Sequence, residues 1–222
     1  RQMCIRDSLN SFAGVLRLEP GHILIDEVDV TKMPEHQRAK FIGRVFQDPM
    51  KGTAGGMMIL ENLAMAKRRG LCPGLSWSEK KAETEEFREL VAQLGLGLEN
   101  RLTAHVGLLS GGQRQAITLL MATLVRPKLL LLDEHTAALD PKTAEKVLEI
   151  TNRIVAEQQL TTLMITHNMR DALRFGNRLI MMHDGRPIVD VRGEEKARLT
   201  PADLLRYFEE AGDGVSDKLM LG

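Results

Sequence analysis

Two stretches of this 222-residue chain have residue types and spacing suited to phosphate chemistry, Leu109-Ser110-Gly111-Gly112-Gln113 and Leu129-Leu130-Leu131-Leu132-Asp133-Glu134. After the glycines, Ala116, Ile117, Leu120, Met121 and Leu124 fall at helical spacing, which predicts a helix from Gln113 to Leu124 and puts Ser110, Gly111 and Gly112 at its N-terminus. That end presents unpaired amides and the positive pole of the macrodipole, and glycine lets the backbone approach an anion closely. Arg126-Pro127 ends the helix, because proline disfavours helical geometry in the residue before it.

Leu129 to Leu132 is a short unbroken apolar run, as expected of a parallel strand buried on both faces. Ligands bind at the carboxyl ends of strands in open α/β sheets, so Asp133 is placed to reach a magnesium ion and Glu134 to orient an attacking water. Asp140 then caps a helix that Pro141 opens, with Val147, Leu148, Ile150, Ile154 and Val155 as its buried stripe. Thr161 to Thr166 reads as a further strand with His167 at its end, where an imidazole can bridge a phosphate oxygen and a carboxylate or water.

These ordered motifs resemble the ATP-binding subunits of ATP-binding cassette (ABC) transporters from about Leu9 onward. The resemblance likens Leu109, Ser110, Gly111, Gly112 and Gln113 to the signature motif and Leu129 to Asp133 to Walker B, with Glu134 as catalytic glutamate. It likens Ala138, Leu139 and Asp140 to the D-loop, His167 to the switch histidine and Gln47 to the Q-loop glutamine that contacts magnesium and the hydrolytic water. It implies a P-loop NTPase-like α/β core with a helical subdomain, binding ATP and Mg2+. It also implies a head-to-tail dimer, in which one copy's signature motif completes the other's nucleotide site, and a transmembrane permease as partner. A solute-binding protein is a possible third component. Glu134 and His167 would drive hydrolysis and γ-phosphate sensing.

No G-x-x-x-x-G-K-S/T loop occurs in the 222 residues. Ser8 to Gly14 looks like the end of the helix that follows Walker A, and Glu19 to Ile25 like the turn and strand after it, whereas Arg1 to Asp7 resembles nothing in the family. The expectation is a chain cut before or within Walker A, with the first strands missing and residues 1–7 foreign, as a gene-model artefact or a real loss. Without the loop, about three charge-assisted hydrogen bonds of ~2 kcal/mol each are lost, roughly four decades of affinity, so the fragment alone is expected to be inactive. His135 stands where the family commonly has proline, and is expected to be tolerated turn chemistry.

With 30 basic and 30 acidic residues the net charge is zero, and no basic excess calls for nucleic acid. No apolar stretch approaches the ~18 residues that span a bilayer and no signal peptide is visible, so the expected location is cytoplasmic, on the inner face of the membrane through the permease. Cys4 and Cys72 suggest neither disulfide nor metal site. One domain is expected, with a core lobe from 1–50 and 106–211, a helical subdomain at about 51–105 and a flexible tail at 212–222. Within it, Met57 to Ala66 and Trp77 to Leu94 read as helices. Ser76 and Glu79 are spaced as a capping box, and Gly95 is a left-handed terminator. Asn168 to Phe175 reads as a short helix, Arg178 to Met182 and Pro187 to Val191 as strands about Asp184-Gly185, and Thr200-Pro201 as the start of a last helix to about Ala211. A bacterial importer of amino-acid-like solutes fits best. A non-transport ATPase of the superfamily and a regulatory module that never hydrolyses stay open as alternatives.

Overall fold

The computed structural model describes residues 2–16, 21–70 and 81–220, with side chains described over 6–16, 21–70 and 81–211. Along the chain run α1 (Gln2–Ala13), β1 (Leu24–Ile25), β2 (Val28–Asp29), α2 (Glu35–Arg38), β3 (Ile42–Val45), α3 (Ile59–Lys67), α4 (Lys81–Ala92) and α5 (Gly111–Leu124). They are followed by β4 (Leu129–Asp133), α6 (Pro141–Gln158), β5 (Thr162–Ile165), α7 (Met169–Arg174), β6 (Arg178–His183), β7 (Arg186–Arg192), α8 (Gly193–Arg198) and α9 (Pro201–Met220).

Two compact units form, one of residues 10–164 and one of 1–9 with 165–222. Ile59, Leu63, Phe87 and Val91 of α3 and α4 share a single apolar cluster with Leu119 of α5 and Leu130 and Leu132 of β4, which binds the helices to the sheet. The proposed capping box at Ser76 and the start of the helix expected from Trp77 lie outside the described residues. Gly95 has a φ of +65°, the left-handed conformation expected of it, three residues past α4.

In the larger unit the strand order is β3-β4-β5. β3 pairs with β4 in parallel, Ile42 opposite Leu129 and Val45 opposite Leu132, and Leu130 to Leu132 are buried as a strand covered on both faces must be. β1 and β2 make a hairpin whose turn residues Asp26 and Glu27 both have positive φ, the geometry that matches strand twist. Arg38, 2% exposed, donates to the carbonyls of Ser11 and Phe12 at the end of α1 and to those of Thr31 and Met33. It thereby ties the end of α1 to the segment that follows β2.

The smaller unit is built on the antiparallel β6–β7 pair, with Leu179, Val189 and Val191 packed on Leu204 of α9. α1 is helical from Gln2 to Ala13. α9 runs on to Met220 past the expected stop near Ala211, since a glycine inside a helix costs about 1 kcal/mol without ending it.

Candidate functional site

β4 ends at Asp133 and the chain turns at Glu134, whose φ of +44° lies in the left-handed region. A residue with a Cβ adopts that conformation at a cost of about 1–3 kcal/mol, and such strain gathers at functional sites. The turn is closed by the Ala137 amide donating to the Glu134 carbonyl at 3.0 Å. Asp133 and Glu134 are 6% and 7% exposed. Because Val45 lies opposite Leu132, Gln47 and Glu134 each come two residues past a paired position. The parallel register thus brings Gln47, Asp133 and Glu134 to one end of the sheet, the carboxyl end, with Gln47 half-buried.

Sequence reading passed over Arg44. Its Nη2 donates to Asn10 Oδ1 at 2.8 Å and lies 3.9 Å from Asp133 Oδ2, and the guanidinium sits 4.6 Å over the Phe46 ring. Burial lowers the Arg44 pKa, with Asp133 and Glu35 pulling the other way. The available signal was a single charge inside an otherwise apolar four-residue run, Ile42 to Val45.

Among the described residues no three His, Cys, Asp or Glu side chains group as a metal site made of protein alone. A buried aspartate near a glutamine instead suits magnesium, which takes one or two protein ligands and completes its shell with water and phosphate oxygens.

The glycine-led stretch forms as expected and is better braced than expected. Ser110 is the N-cap of α5: its Oγ accepts from the Gln113 amide at 3.3 Å while Gln113 Oε1 accepts from the Ser110 amide at 3.1 Å. This reciprocal capping box went unnoticed in the sequence although Ser110 and Gln113 have its spacing. Arg114 fixes the loop before it, donating to the carbonyls of Val106, Gly107 and Leu109 at 2.9–3.1 Å. Leu109 is buried, and Ser110 and Gly111 are exposed.

A Cβ on Gly111 would lie 3.1 Å from Leu139 Cδ2, and one on Gly112 would collide with Thr143 Cγ2. The two glycines therefore permit close packing on the Ala138-Leu139-Asp140 segment and the start of α6, besides any approach to an anion. Asp140 caps α6 by accepting from the Thr143 amide at 3.1 Å, and the bonds from Thr143 hold its carboxyl below the usual range.

His167 belongs to the other unit, two residues past β5, and is exposed. The following Asn168 caps α7, its Oδ1 accepting from the amides of Arg170 and Asp171.

His135 lies in the turn after Glu134 and is 2% exposed, its Nε2 3.1 Å from Thr151 Oγ1 on α6. Burial lowers its pKa to about 4. Above pH 6.5 the imidazole is neutral in both folded and unfolded chains and its contribution is intact. Between 6.5 and 4 only the unfolded chain takes up the proton, so stability falls with pH, by about 2 kcal/mol at pH 5. Denaturant midpoints at pH 7 and pH 5 test this: the wild-type chain should lose that amount and His135→Pro should lose markedly less. An equal loss in both would assign the pH effect to other groups.

Residues 8–137 match the ABC transporter family. The tyrosine transport ATP-binding protein of Clostridioides difficile strain R20291 is 43% identical over 203 residues, 91% of this chain and 80% of the relative. The thiamine import ATP-binding protein ThiQ of Shigella sonnei strain Ss046 is 32% identical over 80% of this chain and 72% of its own. Among solved structures, the ADP conformation of an ATP-binding cassette of an ABC transporter has a TM-score of 0.73 at 24% identity, covering 91% of this chain and 82% of that one. A dimeric post-hydrolysis ATP-binding cassette bound to ADP and Pi gives 0.71 at 24% identity, over 86% and 82%. The fold is the α/β ABC ATPase fold, and with most of its length matched the chain belongs to the ABC transporter family, among its ATP-binding proteins.

Proposed function

We propose that the chain is the ATP-hydrolysing subunit of a bacterial solute importer, working as a head-to-tail pair beneath a transmembrane permease and, where one exists, a solute-binding protein. The observation that supports it most is the parallel β3–β4 register, which sets Gln47, Asp133 and Glu134 at one sheet end with Glu134 in a strained turn.

Asp133 and Gln47 would hold magnesium, which when bound neutralises charge on the phosphate oxygens. Glu134 accepts the proton of the attacking water as its oxygen bonds to the γ-phosphorus and the bond to the β-phosphate oxygen breaks, releasing ADP. A positioned base contributes about 10²–10⁴-fold in such a step. His167 contacts the γ-phosphate. Leu109 to Gln113 act on the nucleotide of the partner copy, and Ala138, Leu139 and Asp140 line the contact between copies. The phosphate loop is the remaining part, and the 222 residues without a G-x-x-x-x-G-K-S/T loop bind ATP weakly.

An amino-acid-like cargo is supported by the resemblance to a tyrosine transport ATP-binding protein. No described helix is long and apolar enough to cross a membrane, so a place at the cytoplasmic membrane face depends on the permease. Co-expression with an amino-acid permease tests the reading: a cassette pairing these residues with a phosphate loop should sediment with membranes and hydrolyse ATP several-fold faster there. A cassette that stays soluble and unstimulated beside several such permeases would count against import.

A further inference from the structure

We propose that Gln115 is a positioning residue that fastens the Gln47 loop to the helix beginning at Ser110, so that the two move as one body. The idea rests on the reading above, which assigns Gln47 to a copy's own nucleotide and Ser110 to its partner's.

Gln115 is 1% exposed, and its Nε2 donates to the Phe46 carbonyl at 3.2 Å, the residue directly before Gln47. Its Oε1 is buried with no hydrogen-bond partner among the described residues. A buried amide half satisfied in this way is less stable than an apolar side chain of the same size would be. Packing alone therefore does not account for glutamine at this position, whereas a tether to the loop does.

The tether is flanked by two close approaches. A Cβ on Gly43 would collide with the Ala122 carbonyl oxygen, and one on Gly52 would lie 2.6 Å from Thr118 Cγ2. Residues 115, 118 and 122 share one face of α5. The chain from 43 to 52 thus lies along that face at contact distance on both sides of Gln47. At the other end of the path, the Ser110–Gln113 capping box and the three Arg114 bonds tie the helix start to the body of α5. The path from Phe46 to Ser110 is one side-chain hydrogen bond and just over one turn of helix.

Hydrogen–deuterium exchange on the 222-residue chain, without nucleotide, tests the tether. Gln115→Leu keeps the volume and removes the bond; exchange of amides in 46–53 should rise at least threefold with the melting temperature unchanged or higher. Gly52→Ala displaces the loop; exchange should rise in 106–113 as well as in 46–53, and the distant response should at least halve when Gln115→Leu is added. Unchanged exchange in 46–53 after Gln115→Leu, or a Gly52→Ala effect confined to 46–53, would overturn the proposal. In a cassette completed with a phosphate loop, Gln115→Leu should lower kcat about tenfold with KM within twofold, as misplacement of a water-contacting loop predicts. Unaltered kcat would remove the positioning role. Raised exchange in 46–53 together with unaltered turnover in the completed cassette would leave the tether standing and refute only the functional reading on which its role rests.

Discussion

Glu134→Gln, in a cassette completed with a phosphate loop, should lower ATP turnover by roughly 10²–10⁴-fold, the span a positioned general base contributes. Glutamine matches glutamate in shape and can still hold a water, but it cannot accept the water's proton. The backbone turn that presents residue 134, with φ of +44° and the Ala137 amide bonded to its carbonyl, depends on main-chain groups and survives the change. ATP affinity should therefore stay within a few-fold. Phosphate release and equilibrium ATP binding, measured on the same preparation, check both halves. Turnover within a few-fold of the parent would move the base elsewhere, and lost binding would mean the turn had collapsed.

Gly43→Ala should destabilise the chain by about 3 kcal/mol, the upper end of overpacking costs, and lower Tm by about 6–12 °C. The added carbon would meet the Ala122 carbonyl oxygen of α5, with Pro127 Cγ 3.2 Å away. A backbone oxygen inside a helix cannot swing aside as a side-chain tip can, so β3 has to move off α5 as a whole. That shift carries Arg44 and the Gln47 loop with it, which makes Gly43 a stability position with a consequence at the sheet end. Thermal unfolding of the 222-residue chain measures the effect. A change below 1 kcal/mol would mean that β3 and α5 are not held at contact distance.

What the sequence shows about this chain, and what it hides, follows from how local each cause is. The Leu129–Leu132 strand, the Asp140 cap with Pro141 behind it and the Asp184-Gly185 turn were all legible, because a few adjacent residues determine each of them. β3 was missed because Ile42-Gly43-Arg44-Val45 has only three apolar or small residues about one charge. Its strand character comes from pairing with β4, and its glycine from the helix it touches. Ser110 and Gln113 have the spacing of a capping box inside a stretch whose glycines also suit a phosphate, and in the structure the two residues close each other's helix-end groups. His135 reads as a turn residue because it stands where the family commonly has proline, and it is one, but its burial against Thr151, sixteen positions away, is not displayed locally. Arg44 near Asp133 and Gln115 on Phe46 are contacts over long stretches of chain, which no window of sequence displays.

The central claim is that two copies share each hydrolytic site, and mixing two inactive variants tests it most directly. In completed cassettes, Ser110→Arg blocks the signature motif and Glu134→Gln removes the base, so each variant alone should be nearly inactive. In a mixed pair, the Ser110→Arg copy supplies an intact Glu134 and the Glu134→Gln copy an intact Ser110, which reconstitutes one working site. ATP turnover of the mixture should rise to well above the sum of the two variants measured separately. Turnover equal to that sum, with mixed pairs shown to form, would contradict the account and place Ser110 and Glu134 at the nucleotide of the same copy.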